Sequence, residues 1–227
     1  MSEQHAGAEA PRSFLFLNAS SRPGGNSEQL ARIAAGASLP AGAEAPRSFL
    51  FLNASSRPGG NSEQLARIAA GASLPAGAEQ RWLRLSEHPL PLFEDRRHAD
   101  DGGFGEPVGH ERTLLDATLA ATDVVFVAPL YWYSLPTSAK LYLDHWSAWL
   151  RVPGADFRAR MAGGTVWAVT ALATEPDKAD PLIGTLRLCA DYMGMRWGGA
   201  LLGNGTRPGD VLKDEPALAA AESFFAG

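Results

Sequence analysis

Cysteine is almost missing from this chain: Cys189 is the only one in 227 residues. A single thiol excludes an intrachain disulfide, so the fold rests on its core, as expected in a reducing compartment. Positive charge is not in excess either. The net charge is −5 and no Lys/Arg cluster stands out, which argues against nucleic-acid binding. No apolar run reaches membrane-spanning length. The opening "MSEQHAGAEAPR" lacks the basic-then-apolar pattern of a secretory signal. The expectation is a cytoplasmic protein with neither nucleic acid nor membrane as partner. His5, His88, His98, His110 and His145 show no metal-ligand spacing, so each reads as a surface or packing residue and no metal is expected. Cys189 lies in an apolar helical stretch and reads as core.

What the chain has in surplus is a repeat. "FLFLNASSRPGGNSEQLARIAAG" occurs at 14–36 and again, unchanged, at 49–71. Residue i equals residue i+35 for every i from 6 to 44. A solenoid needs several diverged units with caps, and here two identical units precede unrelated sequence. Removing one leaves about 190 residues, a common size for one domain. The domain expectation is an N-terminal extension over 1–40 and a complete domain over 41–227.

Each unit reads as strand, loop and helix. Phe49-Leu50-Phe51-Leu52 is long enough for a buried strand. "NASSRPGG" is a turn cluster. "NSEQLARIAAGA" reads as a helix, with Asn61 as N-cap, Gln64 completing a capping-box-like pair and Gly71 as the stop. Further strands are expected at 81–85, 124–130, 164–173 and 196–203, and helices at 110–123, 136–150, 179–195 and 215–226. "EDRRHADD" (94–101) reads as a solvated loop. Counting one repeat, strand and helix alternate five times, which argues for a parallel sheet covered on both faces. Ligands of such sheets bind beyond the carboxyl ends of the strands.

Two loops at that edge carry the chemistry. In the first, Gly59 and Gly60 let the backbone approach a ligand closely, Ser55 and Ser62 offer hydroxyls, and Arg57 can fork onto phosphate oxygens. Asn61 and Ser62 open a helix whose N-terminus favours an anion. A polar loop that merely caps a helix uses the same residues. Neither standard nucleotide fingerprint is present. In the second loop a buried strand runs into Pro129, Leu130, Tyr131, Trp132, Tyr133, Ser134, Leu135 and Pro136. Three consecutive aromatics cannot all face one core. At least one covers a flat ligand or enters a dimer interface.

The two loops together resemble the NADPH-dependent FMN reductase family of flavodoxin-like oxidoreductases. The resemblance lies in Ser55-Ser56-Arg57-Pro58-Gly59-Gly60-Asn61-Ser62 and in Pro129-Leu130-Tyr131-Trp132-Tyr133-Ser134-Leu135-Pro136 followed by Lys140. It implies a flavodoxin-like fold with five parallel strands in the order 2-1-3-4-5, plus the surplus N-terminal copy. It implies an FMN with its phosphate in the first loop and its ring under Tyr131–Ser134. Thr170 and Ala171 would approach from the other side, where the family often has glycines and this chain has "ALATEPDKAD". Hydride would pass from NAD(P)H to FMN and on to a small acceptor such as a flavin or quinone, with no catalytic acid, base or nucleophile. The enzyme would be a homodimer or higher homo-oligomer. Two alternatives stay open: an electron carrier of the flavodoxin type, and a flavodoxin-like protein whose FMN binding the duplication impairs.

Only one strand can fill the central position. If the second copy fills it, about 8 residues join its helix to the next strand. If the first copy fills it, the loop is roughly 43 residues, which costs on the order of 1.5 kcal/mol more. The second copy is therefore expected in the slot, about tenfold preferred. A proteolytic cut between residues 37 and 46 should leave a folded, flavin-binding core. Visible absorbance of the repurified core checks this, and loss of the flavin overturns it.

Overall fold

The computed structural model describes residues 46–99 and 103–226. The expected surplus strand–loop–helix at 1–40 lies outside the described residues. In the second copy the apolar run forms β1 (Ser48–Asn53), with Phe49–Leu52 buried on both sides. Next come α1 (Asn61–Ser73), β2 (Glu79–Arg84), α2 (Gly109–Ala120), β3 (Asp123–Val127), α3 (Thr137–Trp149) and the short α4 (Phe157–Met161). The rest is β4 (Thr165–Leu172), α5 (Asp180–Met193), β5 (Arg196–Asn204) and α6 (Glu215–Ala221). The strands form one parallel sheet in the order β2-β1-β3-β4-β5. The second copy thus holds the inner position, where Phe51 pairs with Trp82 on one side and Val125 on the other.

Alternation along the strands divides the core in two. Leu50, Leu52, Val124, Phe126, Val166 and Ala168 point to one face, against α2, α3 and α5. Phe49, Phe51, Val125, Val127, Trp167 and Val169 point to the other, against α1, α6 and Phe225. A strand buried on both faces must be apolar at every position, which is why β1 and β3 read as unbroken apolar runs.

Several boundaries differ from the sequence reading. Gly71 does not stop α1, which continues to Ser73 because Gly71 lies on the exposed side and meets nothing there. β2 begins two residues early, at Glu79, where its exposed polar residues still pair with β1. The last helix ends at Ala221, and the turn beyond it carries Phe225 back into the core. Cys189 is only half-buried, and burial pushes its thiol pKa up.

The amino end of the sheet is locked by a buried carboxylate. Asp123, 1% exposed, accepts from Arg47 Nε at 3.1 Å and a second Arg47 nitrogen at 2.6 Å. It also accepts from Trp167 Nε1 at 2.8 Å and Thr122 Oγ1 at 2.7 Å. One side chain therefore ties the start of β1 to β3 and β4. Removing one partner of such a pair typically costs about 3–5 kcal/mol.

The long connection after β2 is held by buried His145. Its Nδ1 lies 2.9 Å from Glu111 Oε1 and its Nε2 lies 3.0 Å from the Pro91 carbonyl oxygen. Both partners only accept, so the two bonds form together only when both ring nitrogens carry protons, as an imidazolium. Burial opposes the charge. The hydrogen bonds to Glu111 and Pro91, with the nearby Glu111 and Asp144 carboxylates, outweigh it and raise the pKa above 6.5. Glu111 also accepts from Trp149 Nε1 at 3.0 Å, and its pKa is lowered chiefly by the His145 hydrogen bond. The histidine contribution is complete below pH 6.5 and is lost as pH rises through the raised value. The urea midpoint should therefore fall as pH rises above about 6.5, and His145→Gln should flatten that slope.

Candidate functional site

The carboxyl ends of four strands open into a cleft of about 190 Å³. Its lining comes from Ser55, Arg57 and Gly60–Ser62 after β1, Pro129–Tyr131 after β3, Ala171–Ala173 at the end of β4, and Gly205, Thr206 and Pro208 after β5. That volume is below the roughly 300–1,000 Å³ of sites that enclose a whole small molecule. The cleft can therefore enclose one end of a ligand and leave the rest to lie across its mouth.

The first loop is built around its own backbone. Asn53 Oδ1 accepts the Ser55 N–H at 3.0 Å. Ser55 Oγ donates to the Arg57 carbonyl oxygen at 3.0 Å. A Cβ on Gly60 would stand 3.0 Å from Ser55 Oγ, so the turn closes tightly there. Gly60, not Asn61, is the N-cap, and no side chain caps the helix. The first N–H groups of α1 therefore have no intrahelical acceptor and face the cleft end of the helix. Arg57 is exposed, with no ion-pair partner among the described residues. A phosphate fits this arrangement: free N–H donors, a helix N-terminus and an unengaged guanidinium.

Asn61 corrects the cap expectation. Its Nδ2 donates to the Arg207 carbonyl oxygen at 2.9 Å, and its Oδ1 accepts the Gly209 N–H at 2.9 Å. The side chain that suits a helix cap instead binds a loop about 146 residues away. Gln64 does not complete a capping box either. Its Nε2 donates to the Gly59 carbonyl oxygen at 2.7 Å, and Glu63 takes the Gly59 N–H at 3.0 Å. Ser62 Oγ, buried, accepts the Ala171 N–H at 3.0 Å and so fastens α1 to β4.

The aromatic loop is a strained turn. The Ser134 N–H bonds the Tyr131 carbonyl oxygen at 3.0 Å, and the Tyr131 N–H bonds the Ser134 carbonyl oxygen at 3.2 Å. Between them Trp132 and Tyr133 have φ of 49° and 64°, a hairpin turn that normally selects Asn and Gly. Tyr131 lines the cleft, and its hydroxyl lies 3.4 Å from Ser56 Oγ. Trp132 is 94% exposed and Tyr133 51%. Neither lines the cleft, nor does Ser134. Thr170 is fully buried, one residue before the lining Ala171, and its hydroxyl has no partner among the described residues.

The structure thus brings together Ser55, Arg57, Gly60, Asn61, Ser62, Pro129, Leu130, Tyr131 and Ala171. The wall from Gly205 to Pro208 was not anticipated. A signal for it exists. Asn204-Gly205-Thr206-Arg207-Pro208-Gly209 repeats the grammar of the first loop: a strand-ending Asn, a hydroxyl residue, then Arg-Pro-Gly.

The family described as flavodoxin-like fold matches residues 47–224. A putative NAD(P)H-dependent FMN-containing oxidoreductase, YwqN of Bacillus subtilis (strain 168), is 33% identical over 145 residues, 63% of this chain and 80% of that protein. The Trp repressor binding protein from Bacillus subtilis superposes with a TM-score of 0.60 at 28% identity, over 77% of this chain and 95% of that one. An FMN-dependent NADH-azoreductase from Bacillus anthracis, solved with FMN, has the same fold with a TM-score of 0.55 at 15% identity, over 78% and 96% of the two chains.

The strain at Trp132 and Tyr133 is measurable. Replacing both, as Trp132→Asn with Tyr133→Gly, should raise stability by about 1–3 kcal/mol, because left-handed backbone is unfavourable for bulky residues. Urea unfolding of the two proteins checks the direction.

Proposed function

The chain belongs to the flavodoxin-like fold family, and on that footing we propose that it is an FMN-dependent NAD(P)H oxidoreductase that reduces a small acceptor such as a flavin or quinone. The observation that carries this reading is the convergence of the Arg57 loop, the N-terminus of α1 and the Tyr131 turn on one cleft. The similarity to an NAD(P)H-dependent FMN-containing oxidoreductase supports it. Ser55, Arg57, Gly60, Asn61 and Ser62 would hold the phosphate. Pro129, Leu130, Tyr131 and Ala171 would flank the ribityl chain and one edge of the ring. Trp132, Tyr133 and Ser134 would cover the ring beyond the cleft mouth, and buried Thr170 would support the wall from beneath.

When bound, FMN would supply the two-electron redox chemistry between a nicotinamide donor and the acceptor. The protein's part is to position. No side chain of the cleft is required as acid, base or nucleophile. Arg57 and the helix N-terminus balance the phosphate charge. The proposal extends to a homo-oligomer in the cytoplasm. Exposed rings at Trp132 and Tyr133 favour contact with a second surface, and light scattering measures the assembly.

The test is a visible spectrum of the purified full chain with excess FMN, followed by NADH and NADPH oxidation assays. Flavin absorbance and turnover are expected. Arg57→Ala, made together with the identical Arg22→Ala of the first copy, should weaken FMN by about 1.5–3 kcal/mol and leave riboflavin, which has no phosphate, almost unaffected. A full-length protein that stays colourless with excess FMN overturns the reading.

A further inference from the structure

Beside the phosphate end lies a charged cluster that lines no part of the cleft. Glu63 is the third residue of α1, and its side chain is only 6% exposed. Oε2 accepts from an Arg84 nitrogen at 2.7 Å and from the Gly59 N–H at 3.0 Å. Oε1 accepts from Arg67 at 3.0 and 3.2 Å. Arg67 is itself held over the Trp82 ring at 4.2 Å. Arg84 comes from β2, and exposed Glu87 also approaches it, at 3.4 Å. Burial works against the carboxylate. The hydrogen bonds from Arg84, Arg67 and Gly59 outweigh burial and hold its pKa at about 2.

This placement presents a problem that the geometry resolves. A carboxylate in the first turn of a helix occupies the same favourable potential that an incoming phosphate needs. Left alone it would repel that phosphate. Here two guanidiniums, neither of which lines the cleft, balance its charge. The carboxylate is then free to act on the loop. The Gly59 N–H goes to Glu63, and the Gly59 carbonyl oxygen goes to Gln64 Nε2 at 2.7 Å. The same residue has φ of 64°. Both sides of one glycine are gripped by consecutive side chains of α1, two residues beyond Arg57.

We propose that Glu63 is a positioning residue for phosphate binding. Its carboxylate, charge-balanced by Arg84 and Arg67, fixes the Arg57–Gly60 turn in the form that receives a phosphate. The proposal rests on the FMN reading for the identity of that phosphate, and on the structure alone for the fixing of the turn. A purely structural staple between α1 and β2 is the rival. The two differ in one respect: a staple does not distinguish a phosphorylated ligand from the same ligand without its phosphate.

The experiment uses the full chain stripped of flavin. Glu63→Gln is made together with Glu28→Gln, the identical residue of the first copy, so that no unaltered loop remains. Glutamine keeps the shape but not the charge, and its amide nitrogen sets donor against donor in either place, against Arg67 at Oε1 or against Arg84 and the Gly59 N–H at Oε2, so the grip on Gly59 is weakened directly or through the displaced side chain. Flavin fluorescence titrations should show FMN weakened by about tenfold or more, with riboflavin changed by less than about twofold. Amide exchange over residues 55–61 should quicken while β1 and β3 stay protected. Arg84→Gln, which spares the Gly59 bond but uncovers the carboxylate charge, should weaken FMN more at low salt than at high salt. Unchanged FMN binding in the Glu63→Gln protein overturns the proposal. So does a parallel loss of FMN and riboflavin. If the unaltered protein takes no FMN, the functional reading falls by itself. Exchange then tests the part that stands on the structure alone, the fixing of the turn: faster exchange at 55–61 with α1 and β2 still protected upholds it, and unchanged exchange, or exchange that quickens equally through α1 and β2, ends it.

Discussion

One strand position governs this molecule. β1 is hydrogen-bonded along both edges and buried on both faces, so it tolerates no polar side chain from Phe49 to Leu52 and no second occupant. Its two ends do different work. At the amino end, Arg47 reaches the buried Asp123 and fixes β1 against β3. At the carboxyl end, Asn53 begins the loop that becomes one wall of the cleft. The cleft can be no better ordered than this strand, because α1 and its N-terminus are delivered to the sheet by the same few residues.

From that fixed point the site is assembled by long-range bonds. Ser62 joins α1 to β4, Asn61 joins it to the loop after β5, and Glu63 joins it to β2. Three successive residues of one helical turn thus address three different parts of the sheet. A helix turns about 100° per residue, so neighbouring positions necessarily look in different directions. Anion-binding turns at helix N-termini use that geometry for the ligand. Here it also serves the scaffold, and the charge of Glu63 is met by Arg84 of β2 and Arg67 of α1.

The sheet was legible in the chain because both-face burial leaves a plain mark. The apolar runs at 49–52 and 124–127 have no period and are bounded by turn residues. The separation of the loops at 53–62 and 129–136 placed two walls of the cleft. Contacts between distant residues left no such mark. Asn61 carries the chemistry of a helix cap, and nothing local shows that its partners lie beyond residue 200. Glu63 looks like an ordinary first-turn acid until Arg84 is placed beside it. Trp132 and Tyr133 gave no sign of left-handed backbone, since neither residue type favours it. The wall after β5 was written in a motif shared with the first loop, but a shared motif becomes informative only when both strands end at the same edge.

The exposed turn also has an optical consequence. Of the six tryptophans, Trp146, Trp149 and Trp167 are buried, and Trp82 and Trp197 are partly covered. Trp132 alone stands almost wholly in solvent, one residue beyond the cleft-lining Tyr131. An aqueous collisional quencher therefore acts first on this indole in the exposed turn, and the emission that survives comes mainly from the core. The protein carries an intrinsic reporter of whatever covers that turn, separable from the signal of its own folding without any added label.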